Sequence, residues 1–219
     1  MGKEVNLLIN YPKSKRNLDE RQNNKTEEDR AIARKFGKDF FDGDRKHGYG
    51  GLKYNPIYWE KVAETFKEYW NLRSSSSLLD VGCAKGFMMY DFSRIIPGVN
   101  IQGIDVSEYA IKNSINEMKD KVFVGNAKKI PFEDNSFDYV ISINTIHNLD
   151  LEDCAKSLRE IERVSKKGSF ITVDAYNNDE EKERMFKWNL TAKTILSVEE
   201  WKDFFVKNNY SGDYFWFIP

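Results

Sequence analysis

From residue 78 onward the chain alternates short apolar runs with amphipathic stretches, and that alternation constrains the fold more than any other feature. Leu78-Leu79-Asp80-Val81 reads as a strand, and residues 86–96 as a helix stopped by Pro97-Gly98. Residues 101–106 give a second strand. Ser107 then N-caps a helix carrying Ala110, Ile111, Ile115 and Met118. Residues 122–124 and 139–143 are the third and fourth strands, the latter after the turn Glu133-Asp134-Asn135-Ser136. Asp150 caps a helix with Leu151, Leu158, Ile161 and Val164 inward. Gly168 ends the connection, and residues 170–173 form a fifth strand. Apolar strands separated by helices belong to a parallel sheet covered on both faces, so a doubly wound α/β domain is expected from about residue 75.

The flanks are different in kind. Residues 13–46 are dense in charge, and KSKRNLDERQNNK carries too little apolar surface to order itself. Thr26-Glu27-Glu28-Asp29 is a capping-box pattern opening a helix through Ala31, Ile32 and Phe36, with Gly37 placed to close it. Residues 40–55 read as a loop. Asn55-Pro56 starts a helix with Val62, Phe66 and Tyr69/Trp70 on one face, and four serines at 74–77 lead into the first strand. Beyond residue 175 a polar helical stretch precedes a second capping box, Ser197-Val198-Glu199-Glu200. Its helix presents Val198, Trp201 and Phe205, and residues 214–218 form a terminal strand. The expected division is an N-terminal extension and helical lid over 1–73 and a core over 74–219, together one structural domain.

Composition narrows the function classes. A net charge of −1 provides no global field to recruit nucleic acid or an anionic membrane, so neither partner is expected. No apolar run is long enough to span a bilayer, and the N-terminus lacks a signal-peptide pattern. Two cysteines, Cys83 and Cys154, make no disulfide framework. With His47 and His147 they lack metal-ligand spacing, so no metal is expected and a cytoplasmic location fits.

The most informative segment is the loop after the first strand, Gly82-Cys83-Ala84-Lys85-Gly86. A strand entering a glycine turn and then a helix is the nucleotide crevice of an open α/β sheet, although many α/β proteins need such a turn for packing alone. A dinucleotide fingerprint requires a third small residue where Phe87 stands. Asp80 enters the loop as a carboxylate, which repels a pyrophosphate and suits an ammonium or sulfonium. Asp105 ends the second strand, where a carboxylate can hold a ribose diol or simply cap the next helix. Asn126, in Gly125-Asn126-Ala127, can read a base edge.

LLDVGCAKG (78–86), GIDVSEYAI (103–111), GNAKKIPFEDNSFDYVISINTIHNL (125–149) and LREIERVSKKGSFITVDAY (158–176) follow one another in this order. Together they resemble the successive motifs of class I S-adenosylmethionine-dependent methyltransferases, especially the small-molecule type, over roughly residues 75–176. The resemblance implies a Rossmann-like, mostly parallel sheet with an N-terminal helical cap. It implies S-adenosyl-L-methionine as cofactor, its methionine part near Asp80, Gly82, Cys83, Ala84 and Gly86. The ribose falls on Asp105, the adenine beside Val106, Asn126 and Ala127, and Asn144 lies near the sulfonium. Ala84 replaces the usual middle glycine, which is tolerable if its φ is negative. Such proteins also end in an antiparallel strand pair, whereas one strand is visible here. Either the sheet is short or residues 5–10 supply an edge.

Methyl transfer is an in-line displacement, so alignment matters most, with a base needed when the nucleophile is a hydroxyl. His147, just past the fourth strand, is the candidate base and substrate contact; its alternative role is packing beside Asn148 and Asp150. Asp174 and Tyr176 are candidate acceptor contacts. Tyr49 and Tyr54, in a glycine-rich segment, are candidate cofactor contacts from a lid. The expected partner is a small-molecule methyl acceptor, and a homodimer is left open. A nicotinamide-dependent oxidoreductase and a non-catalytic cofactor-binding module remain the alternatives. Aromatics cluster outside the motifs, with 11 in residues 1–70, 9 in 71–175 and 11 in 176–219, which suggests an aromatic cover.

Overall fold

The computed structural model describes residues 2–12 and 25–219, so the charged stretch 13–24 lies outside the described residues. The described residues form eight α-helices: α1 (Glu27–Ala33), α2 (Lys38–Asp42), α3 (Pro56–Tyr69), α4 (Phe87–Ile95), α5 (Glu108–Lys112), α6 (Leu151–Val164), α7 (Asp179–Trp188) and α8 (Val198–Lys207). The strands are β1 (Ser77–Val81), β2 (Asn100–Asp105), β3 (Val122–Val124), β4 (Phe137–Ile143), β5 (Ser165–Tyr176), β6 (Leu196–Ser197) and β7 (Asp213–Phe217). The order is β3-β2-β1-β4-β5, with β7 and β6 both on the far edge of β5, and every one of these pairings is parallel.

Alternate residues of each strand feed opposite cores, as the pleat requires. One face collects Leu79, Val81, Val140, Ile171 and Val173 with Cys154, Leu158 and Ile161 of α6 and Trp201 and Phe205 of α8. The other collects Leu78, Ile141 and Phe170 with Val62 and Phe66 of α3, Met89 and Phe92 of α4, and Leu7. The N-terminal extension therefore packs into the same core as the sheet. Each fully buried large side chain contributes about 1.5–3 kcal/mol. Both capping boxes form: Thr26 accepts from Asp29 N, and Ser197 accepts from Glu200 N, with the acidic side chains returning the bond.

Four local expectations are corrected. Gly37 does not close α1, which ends at Ala33; Gly37 instead precedes α2, so part of the expected loop 40–55 is helix and 3-10 turn. The helix after Ser107 stops at Lys112 because Asn113 turns its amide back onto the Tyr109 carbonyl, and Ile115 N bonds Lys85 O instead. Leu151 is exposed, being the first residue of α6 at the top of the sheet. Gly168 lies inside β5, opposite Tyr139, because α6 runs directly into the strand.

The terminal edge is also resolved. β7 is parallel to β5 because α8 carries the chain back across the sheet, as any helical crossover does. On its outer side Glu4 bridges Tyr214, with Val5 N to Tyr214 O at 3.0 Å and Tyr214 N to Lys3 O at 3.1 Å. Residues 3–5, rather than 5–10, supply the extra edge, and they run parallel. Among the described residues no helix is long and apolar enough to cross a membrane.

Two groups among the flanking aromatics have different roles. Trp201, Phe205, Tyr210, Tyr214 and Trp216 form a buried cluster of stacked and tilted rings around α8, part of the core rather than of a cover. Phe36, Phe40, Phe41 and Tyr49 do form a cover, reaching Tyr109 of α5.

Candidate functional site

The site is built at the carboxyl ends of β1, β2, β4 and β5. After Val81 the chain turns through Gly82 at φ 91° and Gly86 at φ 77°, both left-handed. A Cβ on Gly82 would lie 2.0 Å from Thr145 Oγ1, so only glycine lets the loop pass beneath residue 145. Ala84 also has a positive φ, 49°, correcting the expectation of a negative one. The reason is its N–H, which must turn to reach Asp105 Oδ2 at 2.8 Å. An alanine held there costs about 1 kcal/mol relative to glycine. Ala84→Gly is therefore expected to raise stability by about 1 kcal/mol, read as a higher denaturation midpoint with unchanged slope. A lower midpoint would contradict this account of the loop.

Asp105 accepts from Ala84 N through one oxygen and from Ser107 N through the other, each at 2.8 Å. Burial pushes its carboxyl up, and these two N–H groups pull it partly back. Each oxygen keeps a second lone pair for a ribose hydroxyl. Asp80 is 4% exposed, and none of the described residues donates a hydrogen bond to its carboxylate. Burial, and secondarily the charge of Asp105, push its pKa up to about 8. A buried carboxylate without a donor is costly until a cation arrives. Cys83 points its thiol into the core against Gly103, so only its backbone faces the loop. Val106 is exposed just past β2, offering an apolar face to a base. Asn126 accepts Lys128 N through Oδ1, leaving its NH2 group to donate, and Ala127 is half-buried beside it.

A second cluster sits on β4 and β5. Asn144, at φ 51°, gives its N–H to Thr172 and receives the Thr172 hydroxyl on Oδ1 at 2.9 Å. Three residues on, His147 is buried, its Nδ1 accepting from Asp174 N at 2.9 Å. Burial lowers the imidazole pKa, opposed by Asp174; burial raises the Asp174 carboxyl, opposed by His147. Tyr176 lies at the end of β5, with its hydroxyl toward Glu200 at 3.4 Å. Thr145, between Asn144 and His147, joins this cluster to the glycine loop.

The cover is latched from an unexpected direction. Lys85, inside the glycine loop and 6% exposed, donates to both oxygens of Asp42 at 2.7 and 2.8 Å and to Leu52 O at 2.9 Å. Asp42 also receives the Tyr109 hydroxyl at 2.8 Å and Leu52 N at 3.0 Å. Burial opposes ionisation of Asp42, yet these donors hold its carboxyl below the usual range. Ser107 Oγ donates to Phe36 O at 2.5 Å. Sequence reasoning missed Asp42 and Tyr109 and gave Lys85 no role; a cation amid the loop glycines was the one available signal. Tyr49 stacks on Phe41 within this cover. Tyr54 instead gives its hydroxyl to Asp91 of α4 at 2.6 Å and accepts from Arg94 at 3.0 Å. Burial, then Asp91, push that hydroxyl up to about 12.

Comparison with known proteins gives a consistent result. A family described as a methyltransferase domain matches residues 72–209. The chain is 33% identical over 145 residues to a tRNA (carboxymethyluridine(34)-5-O)-methyltransferase of Arabidopsis thaliana, covering 65% of this chain and 33% of that one. It is 30% identical over 152 residues to a demethylmenaquinone methyltransferase of Symbiobacterium thermophilum, covering 65% and 59% respectively. Among solved structures, the YcgJ protein of Bacillus subtilis superposes with a TM-score of 0.55 at 21% identity, covering 67% of this chain and 66% of that one. The chain thus spans 33% to 59% of these two curated relatives' own length.

Proposed function

Because the chain belongs to the methyltransferase-domain family, we propose that it transfers a methyl group from S-adenosylmethionine to an oxygen or nitrogen nucleophile of a small molecule. The observation that carries the proposal is Asp80, a buried carboxylate that no described residue supplies with a donor, at the mouth of a glycine cradle. That donor set fits a cationic amino-acid nucleoside. When bound, the cofactor supplies an electrophilic methyl on a sulfonium.

The chain's own groups do the rest. Asp80 faces the cationic methionine end, and the loop from Gly82 to Gly86 gives close backbone approach. Asp105 receives the ribose diol, with Val106, Asn126 and Ala127 beside the base. Asn144, fixed to β5 through Thr172, orients the methionine end. The cover, with Tyr49 on its face, excludes water. Tyr54 contributes by anchoring the cover to α4 rather than by touching the cofactor. An acceptor placed beside His147, Asp174 and Tyr176 lies across Asn144 from the cofactor loop.

A nicotinamide dinucleotide fits less well, because Asp80 would face its pyrophosphate and Phe87 occupies the third small-residue position. A thermal-shift comparison separates the two. S-adenosylhomocysteine at 100 times its dissociation constant adds about 2.7 kcal/mol, which for a chain of this length raises Tm by roughly 5–10 °C. NAD at the same concentration is expected to leave Tm unchanged; the reverse pattern rejects the proposal. An RNA acceptor is the second reading, favoured by the tRNA methyltransferase relative. Salt-sensitive binding of tRNA would mark it.

A further inference from the structure

We propose that Asp174, not His147, takes the proton from the acceptor, while His147 serves as a fixed Nε2–H donor, so that the acceptor is a neutral hydroxyl next to a hydrogen-bond-accepting oxygen. This rests on the methyltransferase reading.

A backbone N–H can only donate, and Asp174 N lies 2.9 Å from His147 Nδ1. Nδ1 therefore keeps its lone pair, and the proton of the neutral ring sits on Nε2. A second proton would have to sit on Nδ1, facing that N–H, and burial opposes the cation as well. The neutral ring can offer a hydrogen bond from Nε2 and has no free lone pair to act as a base. None of the described residues bonds Nε2.

Asp174 has the opposite character. It is 8% exposed, and no described residue donates a hydrogen bond to its carboxylate. Its backbone is fixed at both ends, N–H to His147 and carbonyl accepting Trp201 Nε1 at 2.9 Å. Among the described residues His147 is the one titratable group that bears on it, its Nδ1 standing 3.7 Å from Oδ1. Burial raises the carboxyl, which makes it a stronger base than an exposed aspartate. Strand register puts it on the cofactor side: Asp80 pairs with Ile141, Ile141 with Phe170, and Phe170, Thr172 and Asp174 share one face of β5.

With S-adenosylmethionine as the methyl donor, the step would balance without a further co-reactant. The hydroxyl oxygen forms a bond to the methyl carbon, the carbon–sulfur bond breaks with its electron pair going to sulfur, and the hydroxyl proton goes to Asp174. The products are a methyl ether, a neutral thioether and a protonated carboxyl. A carboxylate acceptor needs no base and would meet the charge of Asp174, so the pair selects against it.

Two measurements on the full chain test this, the first with S-adenosylhomocysteine bound and the second with S-adenosylmethionine as methyl donor. In 15N-histidine spectra from pH 5 to 9, with His47 assigned through His47→Gln, His147 is expected to stay neutral with the proton on Nε2. A proton on Nδ1, or a charged ring at pH 7, overturns the assignment. Turnover is then compared with catechol and benzoate as probes. Catechol is expected to be methylated in preference. Asp174→Asn is expected to lower kcat by roughly 100-fold or more with S-adenosylhomocysteine affinity within twofold. His147→Gln, which keeps a donor, should stay within about tenfold, whereas His147→Ala should fall further. Preference for benzoate, or no turnover of catechol, overturns the acceptor class. Asp174→Asn within threefold of wild type overturns the base. Failure of the wild type to bind S-adenosylhomocysteine would instead remove the methyltransferase reading itself.

Discussion

Asp80→Asn is expected to weaken S-adenosylmethionine binding by about 2 kcal/mol or more, roughly 30-fold, while making the free protein more stable at pH 8. The two effects have one cause. In the free protein burial and Asp105 hold the Asp80 carboxyl at about 8, against an ordinary value of 3.8. Between those limits the folded state holds a proton that the unfolded state has released. Stability from this group is therefore complete below about pH 4 and is lost as pH rises through about 8. A neutral asparagine removes that loss, so the variant's stability should lack this downward slope. Binding works in the opposite sense. A cationic methionine end favours the ionised carboxylate, so at pH 7 wild-type binding releases up to one proton and tightens by up to tenfold per pH unit below pH 8. Calorimetry in buffers of different ionisation enthalpy reads the proton directly. Equal proton release by wild type and Asp80→Asn would contradict the assignment.

The second large effect is expected at the latch. Lys85→Met leaves Asp42 with its carboxylate a quarter exposed and its cation gone. Breaking a buried pair from one side costs about 3–5 kcal/mol, and the partial exposure of Asp42 places this case nearer 2–3 kcal/mol. The loss falls on the cover. Leu52 N, bonded to both Phe41 O and the Asp42 carboxylate, should exchange faster with solvent, as should its neighbours over residues 38–54. With the cover loosened, the dissociation rate of S-adenosylhomocysteine should rise about tenfold or more. The double variant Lys85→Met with Asp42→Asn removes the orphaned charge and should recover part of the stability. If the double variant is less stable than Lys85→Met alone, the ion pair is not what holds the cover.

Local chemistry made much of this legible. The strand–glycine–helix turn, Asp105 at the end of β2, and the capping boxes at Thr26 and Ser197 each depend on neighbours within a few residues. What escaped depends on partners distant in the chain. Lys85 meets Asp42 across 43 positions, and nothing in either segment selects the other. The role of His147 turns on which ring nitrogen faces the N–H of Asp174, 27 residues away, and composition carries no tautomer. Ala84 takes a positive φ for a hydrogen bond to Asp105 that outweighs its own preference. The sheet edge joins residues 3–5 to Tyr214, and three residues are too few to announce a strand. The terminal aromatics count toward an aromatic cover in the sequence because packing and binding draw on the same side chains; burial under α8 assigns them to the core.

The cradle between Asp80 and Asp105 is the proposed seat of the methyl donor. A crystal structure of the protein grown with S-adenosylhomocysteine tests it most directly. The ligand is expected at the glycine loop, its amino-acid end toward Asp80, its ribose diol on Asp105 and its base against Val106. A well-ordered ligand elsewhere on the molecule, or crystals that exclude it at saturating concentration, would contradict this placement.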